Sequence, residues 1–385
     1  MPQEPKAIHV THRDRFLAML DHQEADRIPL AFGGPSCSIH QTAHQNLLHH
    51  LGYEATEPAP IIDSILQIVE PDPRLGQHFD IDVLWLMPQE GPVQWGANRE
   101  SYVDELERGF KLGGGFFNQV ESPLKEGTRE ELHCYQFPDL TGDDRAANLP
   151  ERARRLHDAG YGLATDGPWG LYEYCSSLRG STELFMDMAL NTAYTEALAE
   201  RVLEEYLVPY YTLILDAVGS WVQMVGISDD YGSQQGLLFS PETFRSIYKP
   251  RLKRLVKHIR GRTDARIFIH SDGAVSELIP DFIEIGIDGL NPVQYTAQGM
   301  EADRLRGEFG RDLGFFGGGI ENEILSYGTI QDIRRDARQQ ITALAPGGGY
   351  LYATIHNIPP EVPPESIVAF FEAGLEFGQY PTSGC

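Results

Sequence analysis

The sequence is poor in positive charge. Lys and Arg total 31 against 56 Asp and Glu, a formal net charge of -25 at pH 7. A surface so charged repels phosphate backbones, which excludes nucleic acid as a natural partner. The basic residues that do gather, at Lys249, Arg251, Lys253, Arg254, Lys257, Arg260 and Arg262, are interleaved with Ile247, Leu252, Leu255, Val256 and Ile259. That mixture predicts an outer helix with one solvated face, not a binding patch.

Cysteine is also scarce. Cys37, Cys134, Cys175 and Cys385 show no CxxC spacing and are too few for a disulfide framework in a chain this long, so a reducing, cytoplasmic setting is expected. No apolar run approaches the length of a bilayer span, and Met1 to Met19 is too polar for the core of a signal peptide; neither membrane insertion nor secretion is expected. The GxSxG elbow, the HExxH helix, the Rossmann fingerprint and the Lys-Ser/Thr end of a P-loop are all missing, which removes several common enzyme classes.

What is present is the composition of a folded protein with ample core, 41% hydrophobic and 23% charged. Short apolar runs, each stopped by Gly, Pro or a polar residue, predict strands over Ile28 to Phe32, Val83 to Leu86, Gly162 to Thr165, Val222 to Ile227, Ile267 to Ile269, Ile287 to Leu290, Leu313 to Phe316 and Tyr350 to Thr354. Helix signals lie between them: Ser240 before Pro241, a capping box at Thr329 and Asp332, and Gly286 as a helix end. Strand alternating with helix implies a parallel sheet, and eight strands fit a closed (β/α)8 TIM barrel of class α/β. The expectation is a single domain over residues 1–385, with the segment from roughly 87 to 160 inserted over the barrel mouth.

Catalytic groups of such barrels sit where strands end. The run Ile267-Phe268-Ile269-His270-Ser271-Asp272-Gly273 delivers His270 and Asp272 to one side of an extended chain. Two readings stand side by side: a metal-ligand pair, or a histidine bonded to a neighbouring carboxylate with Asp272 capping the next helix. His356 follows the last strand and completes a possible His-Asp-His set, the three-ligand arrangement of a catalytic zinc; alternatively it orients a loop. Asp229 and Asp230 after the fourth strand, and Glu321 after Gly317-Gly318-Gly319-Ile320, are candidates for proton transfer or for holding a ligand in place, or else are loop caps. Asn291 and Gln294 offer amides for a polar substrate, and Asp166, Trp169, Tyr172 and Tyr174 could wall a small-molecule pocket or belong to the core.

At these residues the chain resembles the uroporphyrinogen decarboxylase superfamily. The likeness is carried by Arg13-Asp14-Arg15-Phe16-Leu17-Ala18 with Asp26-Arg27-Ile28-Pro29, by Asp229-Asp230-Tyr231-Gly232-Ser233-Gln234, Ser240-Pro241-Glu242, His270-Ser271-Asp272-Gly273 and Asn291-Pro292-Val293-Gln294, and by Gly347 to Asn357. The resemblance implies a barrel with its site at the C-terminal mouth. Porphyrin decarboxylases bind substrate carboxylates through an early arginine-rich segment, and Ala31 to His40 contains no arginine, so the corrinoid-linked methyltransferase branch fits better. Those methyltransferases hold zinc through a His-x-Cys pair and a later cysteine. Here the pair is His270-x-Asp272, and His356 lies near the later ligand, so oxygen and imidazole replace sulfur and leave the metal a stronger Lewis acid.

The resulting expectation is a zinc-assisted methyltransferase that moves methyl from a small methoxylated compound to a corrinoid, free or carried by a partner protein; a homodimer is expected by analogy. Its rivals are a metal-free decarboxylase or other lyase using Asp230 and His356, and a non-catalytic protein that binds a corrinoid or small molecule.

Overall fold

The computed structural model describes residues 10–54 and 57–381. Seven parallel strands form one sheet in sequence order: Val83–Trp85, Gly162–Asp166, Met224–Ser228, Arg266–His270, Gly289–Asn291, Gly314–Phe316 and Tyr350–Leu351. The eighth member is the extended segment around Ile28 to Phe32. It closes the ring through parallel bridges from Leu30 to Tyr352 and from Ala31 to Val83, with Ala31 N–H donating to Tyr352 O at 2.9 Å and Asp82 N–H to Leu30 O at 2.9 Å. The chain is therefore a (β/α)8 barrel with every predicted strand on the ring, several shifted by one or two residues.

Parallel strands are covered on both faces, hence their near-continuous apolar runs. Leu163, Val225, Ile227, Ile267 and Ile269 pack outward in the large cluster shared with the helices. Ala164, Met224, Phe268, Phe316 and Leu351 point into the barrel, where Phe16, Met19 and Leu20 of the His12–Leu20 helix plug its lower end. The local signals read from sequence are present: Ser240 caps the next helix, Thr329 and Asp332 form a capping box, Gly286 ends its helix in the left-handed region, and Lys249–Arg260 is an outer helix burying Leu252, Leu255, Val256 and Ile259.

Glycines make room inside the barrel. A Cβ on Gly289 would stand 2.0 Å from the Phe268 ring, and one on Gly226 would stand 1.5 Å from Asp166 Oδ1. Gly226→Ala is expected to push Asp166 off its 2.5 Å bond from the Trp85 indole and to cost about 1–3 kcal/mol, the usual penalty of overpacking. Urea unfolding followed by tryptophan fluorescence measures both effects.

Between the Val83 and Gly162 strands the chain first builds a four-stranded antiparallel sheet, Gln94–Trp95, Ser101–Val103, Gly109–Gly113 and Phe116–Glu121, and then two helices, Arg129–Cys134 and Leu149–Asp158. Val93, Tyr102 and Arg108 of this segment line the cavity at the barrel mouth. Cys37, Cys134 and Cys175 are free thiols, and Cys385 lies outside the described residues. Among the described residues no helix is long and apolar enough to cross a membrane.

Candidate functional site

Strand alternation sets the first ligand. Phe268 faces the barrel interior, so His270, two residues further on, faces the same way at the rim. Its ring is fixed from behind. Asn291 Nδ2 donates to the Phe316 carbonyl at 3.0 Å, which turns Asn291 Oδ1 toward His270 Nδ1 at 2.5 Å. A carbonyl oxygen only accepts, so the proton sits on Nδ1 and the Nε2 lone pair faces the cavity.

The turn after His270 is stitched to its neighbours. Asp272 N–H donates to Asp230 Oδ1 at 2.8 Å, Gly273 N–H to Gln294 Oε1 at 2.6 Å, and Tyr231 N–H to Ser271 Oγ at 2.9 Å. Gly273 has φ of 83°, and a Cβ there would meet the backbone of Gly232 and Ser233 within 2.7 Å. Asp272 caps no helix; the short turn that follows starts from Val275 without a side-chain cap. One of its oxygens, Oδ1, is buried with no hydrogen-bond partner, and Oδ2 lies 3.9 Å from His356 Nε2. His356 is delivered by a loop that Asn357 ties down, accepting from Ser38 N–H at 2.7 Å and donating to Pro35 O at 2.6 Å.

His270, Asp272 and His356 each present one ligand atom within 4.8 Å of the others, the one such group among the described residues. The set fits a divalent cation: two imidazole nitrogens, one of them locked in the binding tautomer, and a carboxylate oxygen that otherwise has nothing to bond. Electrostatics agree. Burial alone lowers the His270 pKa, but Asp272, Asp230 and the bond to Asn291 outweigh it, and the net shift is upward. For His356 burial wins and the shift is downward, Asp272 pulling up and His270 adding to the fall. Carboxylates that stabilise a proton here stabilise a metal ion in the same place.

The other residues singled out in the sequence divide. Asp166, Trp169, Tyr174 and Asp230 line the same cavity, of about 430 Å³, as His270 and His356, and Asp230 Oδ1 lies 3.8 Å from His270 Nε2. Asn291 and Gln294 act from outside it, holding His270 and Gly273 in place. Asp229 is fully buried and accepts from Tyr172 N–H at 2.9 Å, Glu173 N–H at 3.0 Å and the Tyr231 hydroxyl at 2.5 Å; it serves the free amides at the start of the Leu171–Arg179 helix and does not reach the cavity. Tyr172 packs against Phe239 and Tyr248. Glu321 precedes the Asn322–Tyr327 helix and accepts from Thr296 Oγ1 at 2.7 Å, away from the cavity wall.

Sequence reasoning missed Glu173, as it did the cavity residues Asp63, Glu90, Tyr206 and Tyr210. Glu173 is half-buried on the cavity wall, its Oε2 accepts from Gly170 N–H at 3.0 Å, and burial, with Asp230 and Asp229 nearby, raises its pKa. Its one signal in the sequence is its place three residues after Gly170, at the start of a helix that follows a barrel strand.

If Asn291 aims His270, Asn291→Ala is expected to weaken metal affinity about 10–100-fold while leaving the circular dichroism spectrum unchanged. Competition against a chromophoric chelator reads the difference.

Comparison with known proteins places this geometry. No curated protein matches the sequence. A methyltransferase from Methanosarcina mazei superposes with a TM-score of 0.67 at 18% identity, over 96% of this chain and 99% of that one, which establishes a shared fold. A GH113 beta-1,4-mannanase aligns over 92% of this chain and 100% of its own at 11% identity, but its TM-score of 0.41 is too low to inform the reading. The model of the uroporphyrinogen decarboxylase (URO-D) family matches residues 161–377, more than half of the chain and every element that carries the His-Asp-His set. The chain belongs to the uroporphyrinogen decarboxylase family.

Proposed function

We propose that this protein is a metal-assisted methyltransferase that takes the methyl group of a small methoxylated compound and passes it to a corrinoid. The observation that carries the reading is the convergence of His270, Asp272 and His356, with an unpartnered oxygen on Asp272, where His270 and His356 line the barrel-mouth cavity. His270, Asp272 and His356 would hold a zinc ion, which would supply Lewis acidity toward an ether oxygen. In the balanced reaction the ether C–O bond breaks with its electron pair on oxygen, the methyl carbon bonds to cobalt through the cob(I)alamin lone pair, and the oxygen takes up one proton.

The chain's own residues then have distinct tasks. Asn291 orients His270, and Gln294 and Asp230 fix the backbone that carries Asp272. Glu173, on the cavity wall and with its pKa raised by burial and by Asp230, is the group suited to donate the proton that the leaving oxygen takes up. Nothing in the cavity suits a porphyrin bearing several carboxylates: its two arginines, Arg108 and Arg145, are already paired with acids.

The test is to load the protein with zinc and offer a panel of methoxylated arenes with cob(I)alamin under reducing conditions, following methylcob(III)alamin by absorbance. Product that disappears in a chelator and returns with zinc is expected. Bound zinc with no methylcobalamin from any member of the panel counts against the reading, and undiminished turnover in the chelator points instead to metal-free chemistry.

A further inference from the structure

The charge around the cavity is one-sided. Its lining holds seven acidic side chains, one of them Glu173 with its pKa raised toward the neutral form, and two arginines, and both arginines are committed: Arg108 to Asp104 at 2.7 Å, and Arg145 to Glu105 and Asp143 at 2.7 Å each. The other lining acids, Asp63, Glu90, Asp166, Glu173 and Asp230, have no lysine or arginine partner among the described residues. Their hydrogen bonds come from neutral donors, such as the Leu66 amide to Asp63, the Ser64 amide to Glu90 and the Trp85 indole to Asp166. Burial pushes Asp63 and Asp166 up to about 6 each, Glu90 adding to the rise at Asp63, and the pull of Arg108 on Asp63 and of the Trp85 bond and His270 on Asp166 does not offset it.

Beside these acids runs an aromatic wall. Trp169, Tyr174, Tyr206 and Tyr210 follow one another at ring-centroid distances of 6.3, 5.0 and 6.0 Å, and Tyr102 joins the lining from the inserted sheet. The wall already accommodates one cation, the Arg108 guanidinium, 4.7 Å from the Trp169 ring and 5.3 Å from Tyr174. A divalent ion at the His-Asp-His set offsets Asp272 and acts on Asp230 and Asp166, which both feel His270; Asp63 and Glu90 form no ion pair with a lysine or arginine among the described residues. These acids, half-buried Asp63 and exposed Glu90 among them, repel an anionic ligand and attract a cationic one, and a 430 Å³ cavity is the size of a small-molecule site.

We propose that the methyl donor is a small aromatic methyl ether that carries a protonated amine and no carboxylate, its ring against the tyrosine wall and its ammonium group facing Asp63 and Glu90. The inference rests on reading the site as a demethylase, and it names the substrate class that the site takes.

Binding separates the two ideas. Isothermal titration of the zinc-loaded protein at pH 7 and low salt, with 4-methoxyphenethylamine, 4-methoxybenzyl alcohol and 4-methoxybenzoate as probes, compares cation, neutral molecule and anion of similar size. The amine is expected to bind at least about tenfold more tightly than the benzoate, with the alcohol between them. Glu90→Gln and Asp63→Asn should each shrink the preference for the amine severalfold, and added salt should do the same. Benzoate binding equal to or tighter than amine binding, no binding of any probe, or an undiminished preference in both variants overturns the proposal. Preferred binding of the amine without methylcobalamin formation upholds the charge selection and removes the demethylase reading alone.

Discussion

Replacing His270 or Asp272 with alanine is expected to reduce bound zinc from about one per chain to a small fraction and to lower methyl transfer by about 10³-fold or more. A three-ligand site that loses one protein ligand keeps two, below the number on which catalytic zinc sites are built. The Lewis acidity lost with the ion is worth several kcal/mol, and each 1.4 kcal/mol is about a factor of ten in rate. The geometry makes the two variants different. Asp272→Ala removes the carboxylate whose Oδ1 has no other partner, whereas His270→Ala also leaves Asn291 Oδ1 without its 2.5 Å bond. Both should keep the fold, because the surrounding turn is held by backbone bonds to Asp230 and Gln294. Metal retention in the native protein should also weaken as the pH falls: the upward shift at His270 means that a proton competes for its Nε2 at higher pH than at an ordinary histidine. Plasma mass spectrometry after dialysis at a series of pH values, with circular dichroism as the control for folding, measures all three. Full metal content in both variants would place the ion elsewhere.

Asp82→Ala is expected to destabilise the protein by about 3–5 kcal/mol, the cost of breaking a buried ionic network by removing one member. Asp82 is fully buried in front of the Val83–Trp85 strand. It accepts from Arg27 Nη1 at 2.5 Å, His12 Nδ1 at 2.9 Å, Arg15 Nη1 at 3.2 Å and the Leu30 amide at 2.8 Å. This one carboxylate therefore ties the helix that plugs the barrel, the segment that closes the ring and the next strand together. Removing it leaves the nearly buried Arg27 with only the Asp80 side chain and backbone carbonyls. Asp82→Asn, which can keep the Leu30 bond, should cost less than Asp82→Ala. Urea denaturation of the three proteins ranks them, and a loss below about 1 kcal/mol would mean that barrel closure is held by packing alone. The network also accounts for two stretches that carried the family likeness: Arg15, Asp26 and Arg27 are closure residues, not substrate ligands.

Much of the fold was legible because it follows from local rules. The strand at Ile267 to Ile269 showed its apolar run and its polar end, and period two then put His270 and Asp272 on one side. Capping residues such as Ser240 and Thr329 act within one turn of helix, so three or four residues of sequence suffice to read them. Asp229 and Asp230 show where such reading stops. Adjacent in sequence, they were equivalent candidates, yet one is sealed behind the Leu171–Arg179 helix and the other faces the cavity. Glu321 ends a strand as plausibly as Asp230 does, but the path of its loop turns it to Thr296.

By itself the sequence determined the barrel, its family and the residue types available at the strand ends, because periodicity, capping and turn chemistry are properties of neighbouring residues. Only the tertiary structure decided which of those residues meet. His356 comes to Asp272 because the ring closes through the Ile28 to Phe32 segment and Asn357 anchors its loop to Pro35 and Ser38. Glu173, Arg108 and the tyrosine wall join them because the inserted segment, the Leu171–Arg179 helix and the helical stretch through Leu203–Leu207 and Val208–Val218 meet at the same mouth. Convergence of side chains distant in sequence is a matter of packing, and no local pattern encodes it.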